Sequence, residues 1–378
     1  MGVRNTIILS STIIAMLLLA SCGPTTPSGQ VFEGGTQGIL FRFVEGTPPS
    51  LIYDAGAVDF DIMLSVQNAG EFDVDRIHFT ISGINDRDFP GTYEGGSSMA
   101  HWVFAGAGSE IGMYGLAGKT RLERDTLPGD TTYVTLASGV NYTRTLPGGG
   151  ELRYTLHVDA CYPYATMATS TVCYQRDYLD GNDNICSPAQ GGQLSVSGAP
   201  LQVTRVTQTA VGSNDLRLQY TFELKSNVDI WAPKVGNAQT CDPINRADRI
   251  REEGVFFVAL DHLGAAERVR CIGLQQNDNF DGTHIRDIPQ TALTGAAIRL
   301  RDLIPQTDSS GYLKLVDGKA TLTCTLTLGR SATNNLGTVN VLATYYVKDS
   351  ARTSFSVTHS GMGGGTATGG SGDDTLPP

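Results

Sequence analysis

Apolar and polar residues alternate one by one over several long stretches of this chain. Because successive side chains of a β-strand point to opposite faces, this period of two predicts strands that bury one face and expose the other. The helical spacing is nearly absent, and the one helical candidate is the short polar stretch 245–253. The pattern therefore predicts an all-β protein of antiparallel sheets packed as sandwiches. The clearest alternating runs are 60–67, 77–82, 152–160, 216–225, 322–328 and 339–347.

Residues typical of turns and linkers divide these strands into two groups. The stretch 187–197 is rich in Gly, Ser and Gln and lies between the groups. The pattern predicts two sandwich domains, one at 36–186 with a cysteine-rich loop and one at 198–358. The Gly-rich tail 359–378 has no apolar periodicity, so we expect it to be disordered.

The composition also fits strands and turns. Of 378 residues, 45 are Gly and only 17% are charged, which is typical of a strand-rich chain. The formal net charge of −11 disfavours a nucleic-acid partner and disfavours docking on anionic lipid through a basic patch. No G-x-S-x-G motif occurs, which argues against a serine hydrolase of that kind. A hydrolase built on the carboxylates of Asp177, Asp180 and Asp183 is the least favoured function.

The N-terminus has the features of an export signal. Arg4 precedes an apolar stretch, 7–19, that is too short for a comfortable membrane span. The stretch ends in Leu-Ala-Ser followed by Cys22, and this run resembles the lipobox of prokaryotic lipoproteins. The resemblance implies a signal peptide at 1–21, cleavage before Cys22, lipid on its thiol and a flexible stalk at 22–35. The alternative is an ordinary secretory signal with Cys22 as an incidental thiol.

Six further cysteines follow Cys22, an even number that suggests three disulfides in an exported chain. Fifteen pairings are possible, and the sequence does not choose among them. With three cysteines in each half, either one bridge joins the halves or one thiol in each half stays free. A zinc site is the competing interpretation, but no C-x-x-C occurs. The six are Cys161, Cys173, Cys186, Cys241, Cys271 and Cys324.

One stretch resembles a known β-sandwich module. The run 60–77 contains Asn68 and Gly70, followed by a short acidic turn and Val74. It is similar to the start of CARDB-type immunoglobulin-like modules, in which a strand ends in Asn-x-Gly. The run 222–230 is a less similar version of the same stretch and lacks the glycine. The resemblance implies two immunoglobulin-like sandwiches.

The whole chain also resembles surface proteins of small-genome archaea. The similar features are Gly-Thr-Gln-Gly at 35–38, Pro48-Pro49 and Cys-Tyr-Pro-Tyr at 161–164. This resemblance implies a cell-surface location and modules that act as spacers or adhesive units. It implies no catalytic activity.

Calcium is the one cofactor that the sequence suggests. Asn277, Asn279 and Asp281, followed by Gly282, fit the opening of a calcium loop, where oxygen ligands stand at alternate positions. However, Ile288 stands where the loop needs its bidentate glutamate. The competing interpretation is an ordinary polar turn.

Two other short motifs have structural alternatives. Gly-Lys-Thr at 118–120 is similar to the end of a phosphate-binding loop, but the glycine spacing is wrong, so we predict a turn. Asn141 begins a glycosylation sequon, and a chance occurrence is the alternative.

Together these features predict a lipid-anchored, extracytoplasmic surface protein with a structural or adhesive role and no catalytic activity. The expected partners are the membrane, through lipid on Cys22, and other surface proteins or glycans. The alternative function is an envelope protein that binds a glycan or a metal ion. An exposed aromatic platform at Trp102, Tyr142 or Trp231 would favour the glycan.

Overall fold

The regular secondary structure of the described part of the chain is β-strand. No α-helix occurs among the described residues, which confirms the predicted all-β class. The predicted helix at 245–253 lies outside them. The computed structural model describes residues 32–74, 76–93, 101–105, 116–122, 125–147, 150–179, 186–187, 192–232, 254–261, 266–275, 309–329 and 334–359.

Strands of very different lengths make up this part of the chain. Two of them, β10 and β19, contain 24 residues each, about four times the usual strand length. The described strands are β1 (Ile39–Phe43), β2 (Leu51–Tyr53), β3 (Phe60–Asn68), β4 (Arg76–Ser82), β5 (Thr92–Tyr93), β6 (His101–Ala105), β7 (Thr120–Arg121), β8 (Thr126–Leu127), β9 (Thr131–Val140), β10 (Glu151–Tyr174), β11 (Leu194–Val196), β12 (Leu201–Ala210), β13 (Asp215–Leu224), β14 (Asp229–Trp231), β15 (Val255–Asp261), β16 (Ala266–Ile272), β17 (Ser310–Lys314), β18 (Lys319–Leu328) and β19 (Asn335–Thr358).

The two long strands form the middle of a large sheet, here called the central sheet. They pair antiparallel along their whole length, from Glu151 opposite Thr358 to Tyr174 opposite Asn335. The strand order is β17-β15-β19-β10-β4-β6, and β11, β14 and β2 pair with the free sides of the long strands. All of these pairs are antiparallel except the one between β2 and β19.

Two four-stranded sheets pack side by side on one face of the central sheet. Outer sheet 1 has the order β1-β3-β9-β5, and outer sheet 2 has the order β12-β13-β18-β16. Phe41 of outer sheet 1 contacts Phe79 of the central sheet with ring centroids 5.9 Å apart. Phe222 of outer sheet 2 contacts Phe256 of the central sheet at 5.1 Å. The result is two sandwiches over one shared sheet.

The alternation seen in the sequence corresponds to the core. Six predicted core side chains are fully buried between the sheets, and their polar neighbours Thr155, Ser65, His78 and Glu223 are exposed or half-buried. This confirms which faces of these strands were predicted to point into the core. The six are Leu64, Ile77, Phe79, Leu156, Tyr220 and Phe222.

The two predicted domains share strands. Each half of the chain supplies its own outer sheet, but β10 of the first half runs beneath outer sheet 2, where Ser170 Oγ lies 3.0 Å from the Tyr220 hydroxyl. Likewise β19 of the second half runs beneath outer sheet 1, where Phe355 contacts Phe60. The predicted linker 187–197 includes β11, which pairs with β10. The chain from Phe32 on therefore forms one compact unit.

Two local predictions differ from the structure. Cys161 and Cys173 lie on β10 rather than in a loop, because both faces of this strand are buried over 161–168 and the alternation disappears there. The end of the predicted stalk 22–35 is also held in place. The backbone N–H of Phe32 donates to Ser195 Oγ at 3.1 Å, so the segment 32–35 contacts the fold.

Candidate functional site

Of the predicted sites, the cysteines are the ones that the structure describes most fully. Cys173 bonds to Cys186, and Cys271 bonds to Cys324. Cys271 and Cys324 stand opposite each other on β16 and β18, where the Cα atoms are 4.0 Å apart. Cys324 is fully buried, as its inward position predicts. These bonds indicate an oxidising, extracytoplasmic environment.

Cys161 also forms a disulfide. Neither Cys173 nor Cys186 is its partner, because those two cysteines bond to each other. Cys161 is buried, and it packs with Trp231 and the partly buried Tyr346. The face of β10 that points away from the two outer sheets is therefore also covered at Cys161.

The predicted anchor and calcium ligands lie outside the described residues. This applies to Cys22 and also to Asn277, Asn279 and Asp281. Among the residues that are described, no group of three or more His, Cys, Asp or Glu side chains is arranged to hold a metal. Within the same residues no helix is long and apolar enough to cross a membrane.

Two of the three aromatic residues named as a glycan platform are buried instead. Tyr142 is 2% exposed and Trp231 is 3% exposed. Tyr142 packs on Phe89 with ring centroids 5.1 Å apart. The side chain of Trp102 lies outside the described part. Neither Tyr142 nor Trp231 can therefore stack on a sugar at the surface.

The Asn-x-Gly motif lies where the two sandwiches meet. The buried Asn68 side chain donates to the carbonyls of Phe72 and Leu116 at 2.7 and 2.9 Å. Its Oδ1 accepts the backbone N–H of Gly70 at 3.2 Å. A buried amide with these partners fixes the turn after β3. The motif is therefore structural in this chain, and it sits next to Tyr164 on β10.

Glu71, the residue after this motif, joins three separate segments. Its carboxylate accepts the backbone N–H groups of Glu33 and Gly34 at 2.8 Å each, and that of Gly198 at 2.6 Å. Charge-assisted hydrogen bonds of this kind are stronger than neutral ones. Glu71 thus holds the segment at Glu33 and Gly34 and the segment at Gly198, between the two outer sheets.

A row of buried hydroxyls runs along the two long strands below this junction. Thr166 Oγ1 donates to the carbonyl of Leu201 at 2.6 Å and lies 2.8 Å from the Tyr345 hydroxyl. Tyr345 in turn accepts the backbone N–H of Leu201 at 3.3 Å. Burial raises the pKa of Tyr345 far above its usual value, so the hydroxyl stays protonated and can act as a donor. The alternation in 216–225 and 339–347 predicts that Tyr220 and Tyr345 face inwards, but it does not show what their hydroxyls contact.

A histidine–carboxylate pair lies just after the end of β19. His359 Nδ1 lies 2.8 Å from Oδ2 of the fully buried Asp54. The same carboxylate oxygen accepts the backbone N–H of Leu146 at 2.8 Å. The pair ties the end of the last strand to two loops of the first half. The predicted tail 359–378 therefore begins with a residue that is held by the fold.

The remaining motif residues have structural contacts. Lys119 Nζ donates to the carbonyl of Gly34 at 3.1 Å, so the Gly-Lys-Thr segment supports the junction. Asn141 Nδ2 donates to Asp59 Oδ1 at 2.8 Å. Asp177 accepts the backbone N–H of Leu179 at 2.9 Å, and Asp180 and Asp183 lie outside the described residues.

Comparison with known proteins adds little. No family model matches the chain, and no curated protein matches it. Among solved structures, the secreted serine protease VesC from Vibrio cholerae is similar over 82% of this chain and 50% of its own, with 11% identity and a TM-score of 0.16. The chain thus spans half of that structure, and a similarity at this level supports no conclusion about fold or activity.

Proposed function

We propose that this protein is a lipid-anchored surface protein with a structural or adhesive role and no catalytic activity. The observation that carries the proposal is the disulfide-bonded, extracytoplasmic unit built on one shared sheet. A protein of this kind keeps its shape outside the cell and presents its outer sheet faces to the surroundings.

The shared sheet supports a structural role. The two 24-residue strands are paired throughout, so the two sandwiches cannot rotate about a flexible linker as separate domains can. The hydrogen bonds of the half-buried Glu71 and of the buried Tyr345 strengthen the same junction. Rigidity of this kind suits a spacer at a surface.

The sequence resemblances point the same way. The lipobox-like run that ends in Cys22 supports an anchor in the membrane, and the CARDB-like turn at Asn68 and Gly70 supports a spacer or adhesive unit. Binding of a glycan or a metal ion remains the alternative function.

Membrane fractionation tests the anchor. Cells that express the wild-type protein should retain it in the membrane fraction, and mass spectrometry should show cleavage before Cys22 and lipid on its thiol. Cys22→Ser should release the protein, whereas the matched stalk variant Thr26→Ala should stay in the membrane. Attachment of cells to a surface coated with envelope material should fall in the Cys22→Ser strain. Retention of an uncleaved Cys22→Ser protein would contradict the proposal.

A further inference from the structure

The solvent-facing side of outer sheet 2 carries a group of arginines and threonines, here called the arginine–threonine face. The inward residues of its strands form the core, and the alternate residues point outwards. The face consists of Arg205 on β12, Arg217 on β13, Arg268 and Arg270 on β16, and Thr321, Thr323, Thr325 and Thr327 on β18.

The strand register places these residues side by side. Thr325 stands opposite Arg217 on one neighbouring strand and opposite Arg270 on the other. Thr327 stands opposite Arg268 in the next outward row. Since neighbouring strands are about 4.8 Å apart, two guanidinium groups flank one hydroxyl within reach of a common ligand.

The arginines are exposed and have no carboxylate partner in the part of the chain that the structure describes. All four are exposed, and none forms a salt bridge with a described residue. Among its described side chains the face contains two carboxylates, and one of them, Glu223, is already paired with Lys225 at 2.7 Å and Lys319 at 3.8 Å. The other is Asp215. The face is therefore positive in a protein whose net charge is −11.

The size of the face limits its partner. Four strands and about nine residues of strand length give about 14 Å by 30 Å, or about 400 Å². A stable protein–protein interface needs about 800 Å² on each partner. The face is therefore too small for a stable complex with a second copy, but it is large enough for a narrow polymer.

We propose that the arginine–threonine face binds an acidic polysaccharide, through guanidinium–carboxylate contacts and hydrogen bonds from the threonine hydroxyls to sugar hydroxyls. Arginine pairs well with carboxylates because its planar fork can donate two parallel hydrogen bonds. This inference rests on the proposed surface role, since it is at the surface that such a polymer is met.

Other partners fit the face less well. A neutral glycan needs an aromatic platform, and no outward position of β12, β13, β16 or β18 is aromatic. A duplex nucleic acid carries one charge per about 1.7 Å, so the acidic remainder of the protein would repel it strongly. A polymer with one carboxylate per sugar has a lower charge density and can follow the arginines.

Binding of polygalacturonate to the purified mature protein tests the inference. We expect the wild-type protein to bind polygalacturonate in low salt, to lose binding as salt is raised, and not to bind neutral dextran. The double variant Arg217→Gln/Arg270→Gln should bind about tenfold more weakly, because two of the four cationic contacts are lost. The matched control Arg42→Gln removes an exposed arginine from outer sheet 1 and should bind like the wild type.

Several results would overturn the inference. Equal losses in the double variant and in Arg42→Gln would mean that overall charge, not this face, controls binding. Equal or tighter binding to duplex DNA or anionic lipid vesicles would exclude a polysaccharide preference, and so would salt-sensitive self-association without polygalacturonate binding. If the double variant melts early, the single variants Arg205→Gln and Arg268→Gln replace it, and unchanged binding in both would also refute the proposal. Because the assay uses protein in solution, its failure leaves the membrane anchor untouched.

Discussion

Gly70 lies so close to Tyr164 that no side chain fits between them. A Cβ atom on Gly70 would lie 1.8 Å from the Tyr164 hydroxyl and 2.6 Å from the carbonyl oxygen of Gly198. The glycine of the Asn-x-Gly motif is therefore required by a close approach of three segments, since any larger residue must push the first outer sheet away from β10.

Gly70→Ala should destabilise the protein. Overpacking of a tight site costs about 1–3 kcal/mol, because neighbouring groups must move. Chemical denaturation should show a lower midpoint with an unchanged slope. The control is Gly150→Ala, where the nearest atom to a new Cβ is 3.7 Å away. An equal effect of both variants would show that the close approach is not the cause.

Phe222→Ala should have a larger effect. Phe222 is fully buried between outer sheet 2 and the central sheet, so truncation loses its transfer free energy and leaves a cavity, at about 3–5 kcal/mol. Thr221→Val changes the neighbouring outward residue and should shift stability by less than about 0.5 kcal/mol. Calorimetry of both variants should measure this difference in the free energy of unfolding. A small loss for Phe222→Ala would contradict the sandwich packing.

The mature protein should contain no free thiol among its last six cysteines. Cys173–Cys186 and Cys271–Cys324 account for four of them, and Cys161 is also bonded. Cys241 is the one that remains, so we expect a Cys161–Cys241 bridge that links the two halves. Proteolysis without reduction, followed by mass spectrometry, should find that cross-linked peptide. A free thiol on Cys241 in the exported protein would contradict this assignment.

Asp349 should make the stability depend on pH. Burial raises the pKa of its carboxyl, although a hydrogen bond from the Ser350 N–H lowers it. The pKa of Asp349 is therefore higher in the folded than in the unfolded protein. The free energy of unfolding gains the full benefit of this difference below about pH 4. The benefit is lost as pH rises through the folded pKa. Asp349→Asn should raise the free energy of unfolding at pH 7 relative to the wild type, and the difference should shrink at pH 3.

Asp229→Asn is the control for this pH dependence. It removes one negative charge from an exposed position opposite Lys348 and measures the general effect of that charge. If urea denaturation gives the same pH profile for Asp229→Asn as for Asp349→Asn, burial of Asp349 is not the cause.

The alternation of residues predicted the strands and their inward faces but not how the strands combine. A run such as 152–160 shows which side chains face the core, because the period of two is local. It does not show that the strand continues through Cys161 to Tyr174, because both faces are buried there and Tyr162, Pro163 and Tyr164 no longer alternate with polar residues. The partner of that extension, 335–348 of β19, lies far along the chain.

The candidate surface was hidden for a similar reason. The four arginines of the arginine–threonine face lie on three different strands, and only the register of β13, β18 and β16 brings Arg217 and Arg270 to either side of Thr325. The four alternate threonines of β18 were visible in the sequence as its polar face. Their arginine neighbours were not, because strand pairing cannot be deduced from one strand.

The exchange of the two long strands also limits how such a protein can evolve. Proteins made of separate sandwiches joined by linkers can gain or lose length when one unit is duplicated or deleted. Here a cut at residue 197 would leave outer sheet 1 without β19 and outer sheet 2 without β10. The pair must therefore be inherited, and must fold, as a whole, so longer versions would have to repeat both sandwiches together.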